Sequence, residues 1–451
     1  MSQDLATDNN SQPNPVSFWQ ALGFWLKLGF ISFGGPAGQI AIMHEELVVR
    51  RRWISEKRFL HALNYCMVLP GPEAQQLAIY IGWLLHKTQG GIVAGTLFVL
   101  PSLFILIALS WLYIAFGELP LIAGIFYGIK PAVTAIVVQA AHRIGSRALN
   151  NNVLWAIAAA SFVAIFALNV PFPFIVLGAA LIGLFGGRMA PEIFKLGGGH
   201  GTAKESFDVA LIDDNTPRPT HAVFSSHRLI QVLAIGALLW VIPMSMLVMR
   251  FGWDHTLTQM GWFFTKAALL TFGGAYAVLP YVYQGAVDQF GWATATQMID
   301  GLALGESTPG PLIMVVAFVG FIGGYIKEIF GPESLFLAGA VAAAVVTWFT
   351  FLPSFLFILA GGPMIESTHN DLKFTAPLTA ITAAVVGVML NLALFFAYHV
   401  LWPQGFSGVL DWLSAVLAVA ASVALFKYKC NVIHVIAVSG LMGVGIRWLI
   451  A

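Results

Sequence analysis

The sequence predicts an all-α polytopic membrane protein with two inverted repeats and with broken or re-entrant helices. Three observations predict this class: an apolar composition, apolar segments close to the length of a membrane span, and motifs that recur at a fixed spacing. Of the 451 residues, 58% are hydrophobic and only 10% are charged, whereas soluble proteins carry about 25% charged residues. This composition excludes a soluble enzyme, a nucleic-acid-binding protein and a secreted scaffold, and it indicates a lipid bilayer as the surroundings.

The recurring motifs indicate an internal duplication. The tripeptide FGG at 33–35 recurs 239 positions later at 272–274, and the tripeptide PGP at 70–72 recurs with the same spacing at 309–311. The tripeptide LPS at 100–102 recurs only after 252 positions, so the second repeat carries an insertion. Several landmarks in one register are the signature of a repeat architecture.

This duplication divides the chain into five predicted parts. They are a flexible N-terminal tail (1–17), a first repeat (18–187), a polar cytoplasmic linker (188–228), a connecting transmembrane helix (229–255) and a second, inverted repeat (256–451). The tail contains no Lys or Arg, so it lacks the positively charged start of a signal peptide. The linker mixes Gly, Pro and charged residues, which is typical of a segment without a core of its own.

The distribution of charge predicts that the two repeats face opposite sides of the membrane. In the first repeat, basic residues at 50–52 and 57–58 surround Trp53, whereas Asp288 and Asp300 flank the matching Trp292. Basic loops stay in the cytoplasm, so the two matching segments lie on opposite sides. Inverted repeats are typical of secondary transporters, whose substrate site lies where the repeats meet.

Nine apolar segments are close to the approximately 20 residues that cross a bilayer. Shorter apolar pieces flank each FGG and each PGP motif, and they are either halves of broken helices that cross or arms of re-entrant hairpins that do not. The first alternative gives 13 spans and the second gives nine, and the positions of the basic residues mildly favour hairpins. The nine segments are 91–116, 121–141, 152–169, 171–187, 229–250, 335–360, 374–398, 409–426 and 431–450.

The FGG and PGP breaks predict an anion site. Gly and Pro inside a helix cost about 1 and about 3 kcal/mol, and backbone groups freed there must be buried in protein or line a cavity. Pro36, Pro72 and Pro311 are placed to begin the next half-helix, where free N–H groups and the helix dipole attract anions. The alternative is a set of kinks that packing alone accommodates.

Ionisable residues near the breaks are further candidates. Lys27 and Lys266 match in the two repeats and offset a dianion if they point inward, or else they reach the membrane surface from a helix end. Glu73 and Glu306 are candidates for coupling or gating, and capping of a helix start is the alternative for Glu73. The predicted substrate-binding residues are Lys27, Ser32, Gly34, Gly35, Pro70, Gly71, Pro72, Gln75, Lys266, Thr271, Gly273, Gly274, Thr308, Pro309, Gly310 and Pro311.

The motifs resemble a known family. The run FISFGGPAGQIAIMHEELVVRRRWISEKRF, the later LNYCMVLPGPEAQQLAIYIGW, and their counterparts LLTFGGAYAVLPYV and LGESTPGPLIMVVAFVG are similar to the signature of the chromate ion transporter family in its long, two-domain form. The resemblance implies export of chromate from the bacterial cytoplasm and chromate resistance, with sulfate as a competing or exchanged ion. The second repeat departs from the first at Ala275, in place of Pro36, and at Leu312, in place of Glu73, so the two halves are not functionally equivalent.

We therefore expect a multi-pass secondary transporter of the bacterial inner membrane that exports chromate and is not an enzyme. The nucleotide-binding pattern GxxxxGK[ST] does not occur, and no cofactor or metal site is legible, which argues against a membrane redox enzyme. A transporter or exchanger of sulfate or another tetrahedral oxyanion is the close alternative, and an anion channel is a weaker one. Uniport, proton symport and anion exchange stay open, as does a homo-oligomer. The expected partners are chromate, sulfate and the lipid bilayer, with no nucleic acid.

Overall fold

The computed structural model describes residues 14–33, 35–194, 209–213, 216, 219–367 and 375–450. Gly34, most of the predicted tail and part of the predicted linker therefore lie outside the described residues. Within the described ranges the chain is helical, and its sole β-type pairing is an isolated bridge between Ile54 and Ile212. The predicted all-α class is confirmed.

Seven α-helices form the first half. A capping box formed by Ser17 and Gln20 starts the first helix, and a π-helical turn at Glu45–Arg50 follows the second. Each of the two predicted breaks separates consecutive helices, at 32–34 and 69–72. The helices are α1 (Phe18–Ile31), α2 (Gly35–His44), α3 (Glu56–Val68), α4 (Glu73–Phe116), α5 (Pro120–Ala148), α6 (Asn152–Phe166) and α7 (Phe172–Met189).

The second half repeats this succession of elements after the connecting helix α8 (Ser226–Phe251). A π-helical turn again follows the second helix of the half, at Gln284–Gln289, which is 239 positions after its counterpart. A 3-10 turn at Leu312–Met314 follows the second PGP motif. The helices are α9 (Thr256–Leu269), α10 (Ala275–Tyr283), α11 (Ala295–Ser307), α12 (Val315–Ile326), α13 (Leu335–Ser367), α14 (Thr375–Leu401), α15 (Trp412–Phe426) and α16 (Val432–Ile450).

Helix α4 consists of two arms that fold back on each other. His86 and Lys87 have non-helical backbone angles, and Lys87 has φ +57°. The arms pack through glycines, since a Cβ built on Gly82 lies 2.5 Å from the carbonyl oxygen of Gly90. In the second half, α12 and α13 form the corresponding pair, and a Cβ on Gly324 lies 2.6 Å from the carbonyl oxygen of Ala338. The insertion of the second repeat falls between α12 and α13.

The two halves exchange packing partners. Helix α5 of the first half packs against α15 and α16 of the second, and α14 of the second half packs against α6 and α7 of the first. The two long helices α5 and α14 also contact each other, as do α4 and α13. Each half therefore completes the core of the other, and the breaks lie at the join.

Seven helices in the described part of the chain are long and apolar enough to cross a membrane. Three shorter apolar helices accompany them, at Asn152–Phe166, Leu312–Ile326 and Trp412–Phe426. Every one of the nine apolar segments predicted from the sequence overlaps with one of these helices. These seven long helices are fewer than the predicted nine to 13 spans. Helices α6 and α15 have only 15 residues each, and α9 to α12 are short pieces around the breaks.

Candidate functional site

The FGG break of each half is hydrogen-bonded to the PGP break of the other half. The N–H of Gly71 donates to the carbonyl oxygen of Thr271 at 2.7 Å, and the N–H of Gly310 donates to the carbonyl oxygen of Ser32 at 2.8 Å. Thr271 and Ser32 are matching positions of the repeat, as are Gly71 and Gly310. The two hydrogen bonds are thus reciprocal, and they bring four helix breaks to one place between the halves.

Glycine is required at the centre of each PGP motif. Gly71 has φ +127° and Gly310 has φ +107°, a region that residues with a Cβ rarely adopt. Space is also missing, because a Cβ on Gly71 lies 2.6 Å from Ser354 Oγ and a Cβ on Gly310 lies 2.7 Å from Ser102 Oγ. The two serines belong to the LPS motifs, so each half supplies the serine that closes over the other half's PGP motif.

Two buried glutamine side chains add hydrogen bonds that only the first half supplies. Gln39 Nε2 donates to the carbonyl oxygen of Gly310 at 2.5 Å, and Gln76 Nε2 donates to the carbonyl oxygen of Pro70 at 2.8 Å. The hydroxyl of Ser102 donates to the carbonyl oxygen of Pro309 at 2.6 Å. These bonds occupy carbonyl groups that the breaks free from helical pairing and fix the geometry of both motifs.

A cavity of about 640 Å³ opens beside the breaks. We call it the arginine cavity, because two arginines one helical turn apart on α5 line it. Neither arginine has an ion-pair partner among the described residues. Two cations that form no ion pair with the described residues, in a cavity walled by a membrane protein, attract an anion. Residues that line the cavity include Pro36, Glu73, Arg143, Arg147, Gly274 and Tyr276.

The first turn of α10 forms one wall of this cavity, with Gly273, Gly274, Ala275 and Tyr276 among the lining residues. Gly274 caps the helix with φ +95°, which only glycine adopts readily. The first N–H groups of a helix lack partners within it and carry the positive end of the helix dipole. The second FGG break therefore presents N–H donors to the same cavity as the arginines.

Most carboxylates around the arginine cavity are engaged by basic side chains. Glu45 accepts a hydrogen bond from Arg50 Nε at 3.0 Å, and Glu56 is paired with His44. Glu73, the first residue of α4, lines the cavity and forms no hydrogen bond or ion pair with the described residues through its side chain. Arg143 and Arg147 are therefore the positive charges that remain for a bound anion, and Glu73 is the unpaired carboxylate beside them.

Glu306 lies behind the cavity wall. It is 6% exposed and accepts a hydrogen bond from the hydroxyl of Tyr276, which lines the cavity. Arg143 acts electrostatically on both residues of this pair. The pair connects α11 with α10, so a change in the charge of Glu306 acts directly on the wall of the cavity.

The hydroxyl groups predicted to bind the anion differ in their availability. Thr271 Oγ1 donates to the carbonyl oxygen of Ala267 at 2.7 Å, and Thr308 Oγ1 donates to that of Leu304 at 2.6 Å. The hydroxyl of Ser32 is fully buried and has no hydrogen-bond partner among the described residues. Ser32 is thus the hydroxyl that keeps a free donor beside the breaks.

Gln75 is the most unusual polar residue at the first PGP break. Its side chain is fully buried in the first turn of α4, and neither its Oε1 nor its Nε2 has a hydrogen-bond partner among the described residues. Leaving such a group unpaired costs about 1–3 kcal/mol. An unpaired buried amide needs an explanation, and a ligand or water that reaches it during function supplies one.

The two predicted lysines lie away from the arginine cavity. Lys27 is exposed on α1, and Lys266 is half-buried on α9 with its Nζ 5.7 Å from the centre of the Trp262 ring. Neither lysine lines the cavity. In contrast, the breaks that contain Gly35, Pro70, Pro72 and Pro311 lie at the join between the halves, and Gly34 is outside the described residues.

A second cavity, of about 670 Å³, is formed by corresponding elements of the other half. Pro280 and Gln284 line it, and they match Ala41 and Glu45 of the arginine cavity. Its one acidic or basic lining residue in the described part of the chain is Asp288. We call it the aromatic cavity, after Phe166, Tyr283, Phe395, Tyr398, Trp402 and Phe406.

Sequence reasoning missed Arg143, Arg147 and Gln39 as site residues. The two arginines are among the basic residues whose positions favour hairpins, and their spacing of four also places them on one face of a helix. Gln39 follows the FGG motif by four residues in an apolar segment. A polar residue in such a segment is a signal for a functional or interhelical role.

Comparison with known proteins identifies relatives along the whole chain. A family model described as chromate transporter matches twice, over residues 19–184 and 258–444. A chromate transport protein of Pseudomonas aeruginosa is 33% identical over 99% of this chain and 96% of its own length. A chromate transport protein of Cupriavidus metallidurans is 27% identical over 91% of this chain and 88% of its own length.

A shorter relative matches only part of the chain. An uncharacterized transporter of Bacillus subtilis, YwrA, is 28% identical over 29% of this chain and 73% of its own length. That relative is therefore far shorter than this chain, and most of its length corresponds to 131 residues of this chain. No solved structure is detectably similar to this chain.

Proposed function

Because the chain belongs to the chromate transporter family, we propose that it is a secondary transporter that exports chromate from the cytoplasm across the bacterial inner membrane and confers chromate resistance. It is a multi-pass membrane transporter rather than an enzyme. The observation that carries the proposal is the arginine cavity, where two unpaired cations and the first turn of α10 converge beside the breaks.

We propose that the halves are inverted in the membrane. The second arm of α4 and α13 are matching elements, and they pack in opposite directions. Trp111 lies against Phe336, with ring centres 5.3 Å apart, while Gly95 lies against Phe355. Contacts that join the end of one helix to the start of the other support an inverted repeat. The linker at 188–228 and the mouth of the arginine cavity are then cytoplasmic, on the side of the basic residues at 50–52.

The proposed site fits a tetrahedral dianion. Arg143 and Arg147 supply charge, and the N–H groups at Gly274 to Tyr276 supply fixed donors at the cavity wall. Ser32 and Gln75 do not line the cavity, and they add buried side-chain donors without another partner among the described residues at the neighbouring breaks. Backbone N–H groups at a helix start bind such anions without a metal. Binding of the anion by Lys27 and Lys266 stays a prediction from the sequence, because neither lysine lines the arginine cavity. It would require a state of the transporter in which α1 and α9 rotate towards the cavity.

Two carboxyl groups are proposed to gate the anion. Glu73 lines the arginine cavity, so its negative charge repels a dianion and favours release, whereas its protonated form tolerates one. Glu306 holds the Tyr276 hydroxyl of the cavity wall. We therefore propose that Glu73 acts at the mouth of the arginine cavity and that Glu306 acts on its wall.

The membrane potential favours this direction of transport. An inside-negative potential of 100 mV gives about 2.3 kcal/mol for each charge that moves, hence about 4.6 kcal/mol for a dianion that leaves the cell. The arginines oppose loss of the anion to the cytoplasm by binding it. In contrast, the aromatic cavity offers no basic group among its described lining residues, so it favours release.

The test is chromate uptake into everted membrane vesicles. We expect saturable uptake by the wild type, and a loss of affinity of about tenfold or more in Arg143→Gln, because a charge-assisted hydrogen bond contributes about 1.5–3 kcal/mol. Arg188→Gln is the matched control, since Arg188 is exposed at the end of α7 and does not line the cavity. Wild-type uptake no higher than that of vesicles without the protein would refute chromate transport.

Sulfate is the alternative substrate that the geometry favours, because it has the same shape and charge as chromate. Excess sulfate in the same vesicles should reduce chromate uptake if the site recognises a tetrahedral dianion. Sulfate uptake that exceeds chromate uptake under equal conditions would assign the chain to sulfate transport. Flux that does not saturate with chromate would instead indicate an anion channel.

A further inference from the structure

An ion pair between the half-buried Lys130 and the buried Asp300 joins the two halves at some distance from the arginine cavity. Lys130 of α5 places its Nζ 3.5 Å from Oδ2 of Asp300 on α11, and the hydroxyl of Tyr113 on α4 donates to the same oxygen at 2.9 Å. Asp300 is 1% exposed. Lys130 lies 13 residues before Arg143 on α5, about 20 Å along the helix. The cluster is thus separate from the proposed anion site.

The carboxylate of Asp300 is incompletely satisfied. Its Oδ1 is buried and has no hydrogen-bond partner among the described residues. The distance to the Lys130 ammonium is at the long end for a hydrogen bond. A buried carboxylate that lacks a partner for one oxygen carries the full cost of its desolvation, and a proton bound at Oδ1 removes that cost.

Few charged groups compete for this carboxylate. Lys130 on α5 and Tyr113 on α4 are the titratable side chains that act on it. Helices α12, α14 and α16 also pack around α11, and in the part of the chain that the structure describes they bring no further titratable group to Asp300. The charge of Asp300 is therefore controlled by one cation and one hydroxyl, both from the first half.

Stability alone does not account for this pair. Replacing a buried ion pair by apolar residues of similar size is often neutral or stabilising, because desolvation of two charges offsets their attraction. A role in switching between arrangements is the better attested use of such pairs. Here the two charges belong to different halves, so binding of a proton to Asp300 removes the attraction that holds α11 against α5.

We propose that Asp300 is a proton-binding site that couples proton entry to chromate export. This inference rests on the proposed function. In the deprotonated state Asp300 attracts Lys130 and holds the halves together at α11. One proton that binds to Oδ1 gives a neutral carboxylic acid, the Lys130 ammonium keeps its charge, and the halves are free to move. The proton leaves on the opposite side when the pair forms again.

The experiment uses the full-length protein in liposomes and measures chromate and protons together. An internal pH indicator reports chromate-dependent proton movement, and chromate/chromate exchange is measured without a pH gradient. In Asp300→Asn we expect proton-driven chromate accumulation to fall by about tenfold or more, while chromate/chromate exchange stays within about twofold of the wild type. Asp254→Asn, which removes an exposed loop carboxylate, should leave both measurements unchanged.

A double variant keeps the proposal testable if Asp300→Asn fails to fold. Lys130→Met/Asp300→Leu removes both charges at once, so it leaves no unpaired buried ion, and we expect it to lose proton movement while exchange persists. Proton movement that survives in either variant would overturn the proposal, as would wild-type chromate transport without any proton movement. Loss of exchange in both folded variants would show that the pair only positions the helices. Absence of chromate transport by the wild type would instead count against the proposed function.

Discussion

Replacement of Gly310 by alanine tests the crossing of the two halves. The backbone at Gly310 has φ +107°, and an added Cβ lies 2.7 Å from Ser102 Oγ and 2.8 Å from Ser102 Cβ. A residue held in a sparsely populated backbone region costs about 1–3 kcal/mol, and forced overpacking costs about 1–3 kcal/mol more. Gly310→Ala should therefore lose about 2–6 kcal/mol, a large part of the roughly 5–15 kcal/mol that stabilises a typical protein.

Two further glycines separate backbone strain from lack of space. Gly274 has φ +95° with no atom within 4 Å of an added Cβ, and Gly23 has open space and lies in the regular helix α1. Gly274→Ala should lose only the strain of about 1–3 kcal/mol. Gly23→Ala should be neutral or stabilising by up to about 1 kcal/mol.

The assay is thermal unfolding of the purified protein, followed by chromate uptake into everted vesicles at a temperature where each variant is folded. We expect the midpoints to fall in the order Gly23→Ala, Gly274→Ala, Gly310→Ala, and uptake by Gly310→Ala to fall because its N–H no longer reaches Ser32 in the same geometry. Addition of Ser102→Gly to Gly310→Ala should recover part of the stability. If Gly310→Ala matches Gly274→Ala in midpoint and the wild type in uptake, the argument from close approach is refuted.

Three further predictions concern residues around the join. Gln75→Leu should raise the unfolding midpoint, because it removes an unpaired buried amide that destabilises the protein by about 1–3 kcal/mol, and it should also weaken chromate affinity. Gln76→Leu should instead lower the unfolding midpoint, because it removes the hydrogen bond from Gln76 Nε2 to the carbonyl oxygen of Pro70. Arg58→Met should cost about 3–5 kcal/mol, since it leaves Glu366 buried without its cation at 3.7 Å. Arg58→Met/Glu366→Leu should recover only part of that loss in a denaturation series, because the buried hydroxyl of Tyr80 loses its acceptor. Burial lowers the pKa of His221, which lies in the linker and forms a hydrogen bond with the backbone carbonyl oxygen of Trp83. The contact between His221 and α4 is therefore complete above the ordinary histidine pKa of about 6.5, and it weakens as the pH falls below that value. Proteolysis of the linker at several pH values will measure this loss.

The positions of the helix breaks could be predicted from the sequence because they follow from local chemistry. Glycine and proline determine where a helix ends whatever surrounds it, so FGG and PGP located both breaks in both halves. The fixed spacing of 239 residues predicted the duplication, and the structure repeats even the π-helical turn after α2 and α10 at that spacing. The turn at His86 and Lys87 ends the short apolar piece that follows the first PGP motif.

The partners across the join could not be predicted in the same way. The hydrogen bonds from Gly71 to Thr271 and from Gly310 to Ser32 join residues about 200 or more positions apart, and no local pattern specifies them. The direction of a side chain on an apolar helix is equally hidden, because a helix that is hydrophobic on all sides has no distinct face. This explains why the sequence left open whether Lys27 points inward or reaches the membrane surface, and why Arg143 was not among the predicted site residues.

The two cavities differ in charge, and this difference supports transport in one direction by a duplicated scaffold. Both are lined by a half-helix, its π-helical turn and a long helix of the core, so under the proposed inversion geometry alone treats the two sides of the membrane alike. Charge distinguishes the two cavities. Arg143 and Arg147 line one of them, whereas Asp288 is the one acidic or basic group among the described lining residues of the other. Under the proposed function, we therefore expect a dianion to be bound on the arginine side and repelled on the aromatic side. Exchange of this pattern, with Asp288→Arg added to Arg143→Gln, should weaken capture on the arginine side and strengthen it on the other, which chromate counterflow measured from each side of the same vesicles will detect.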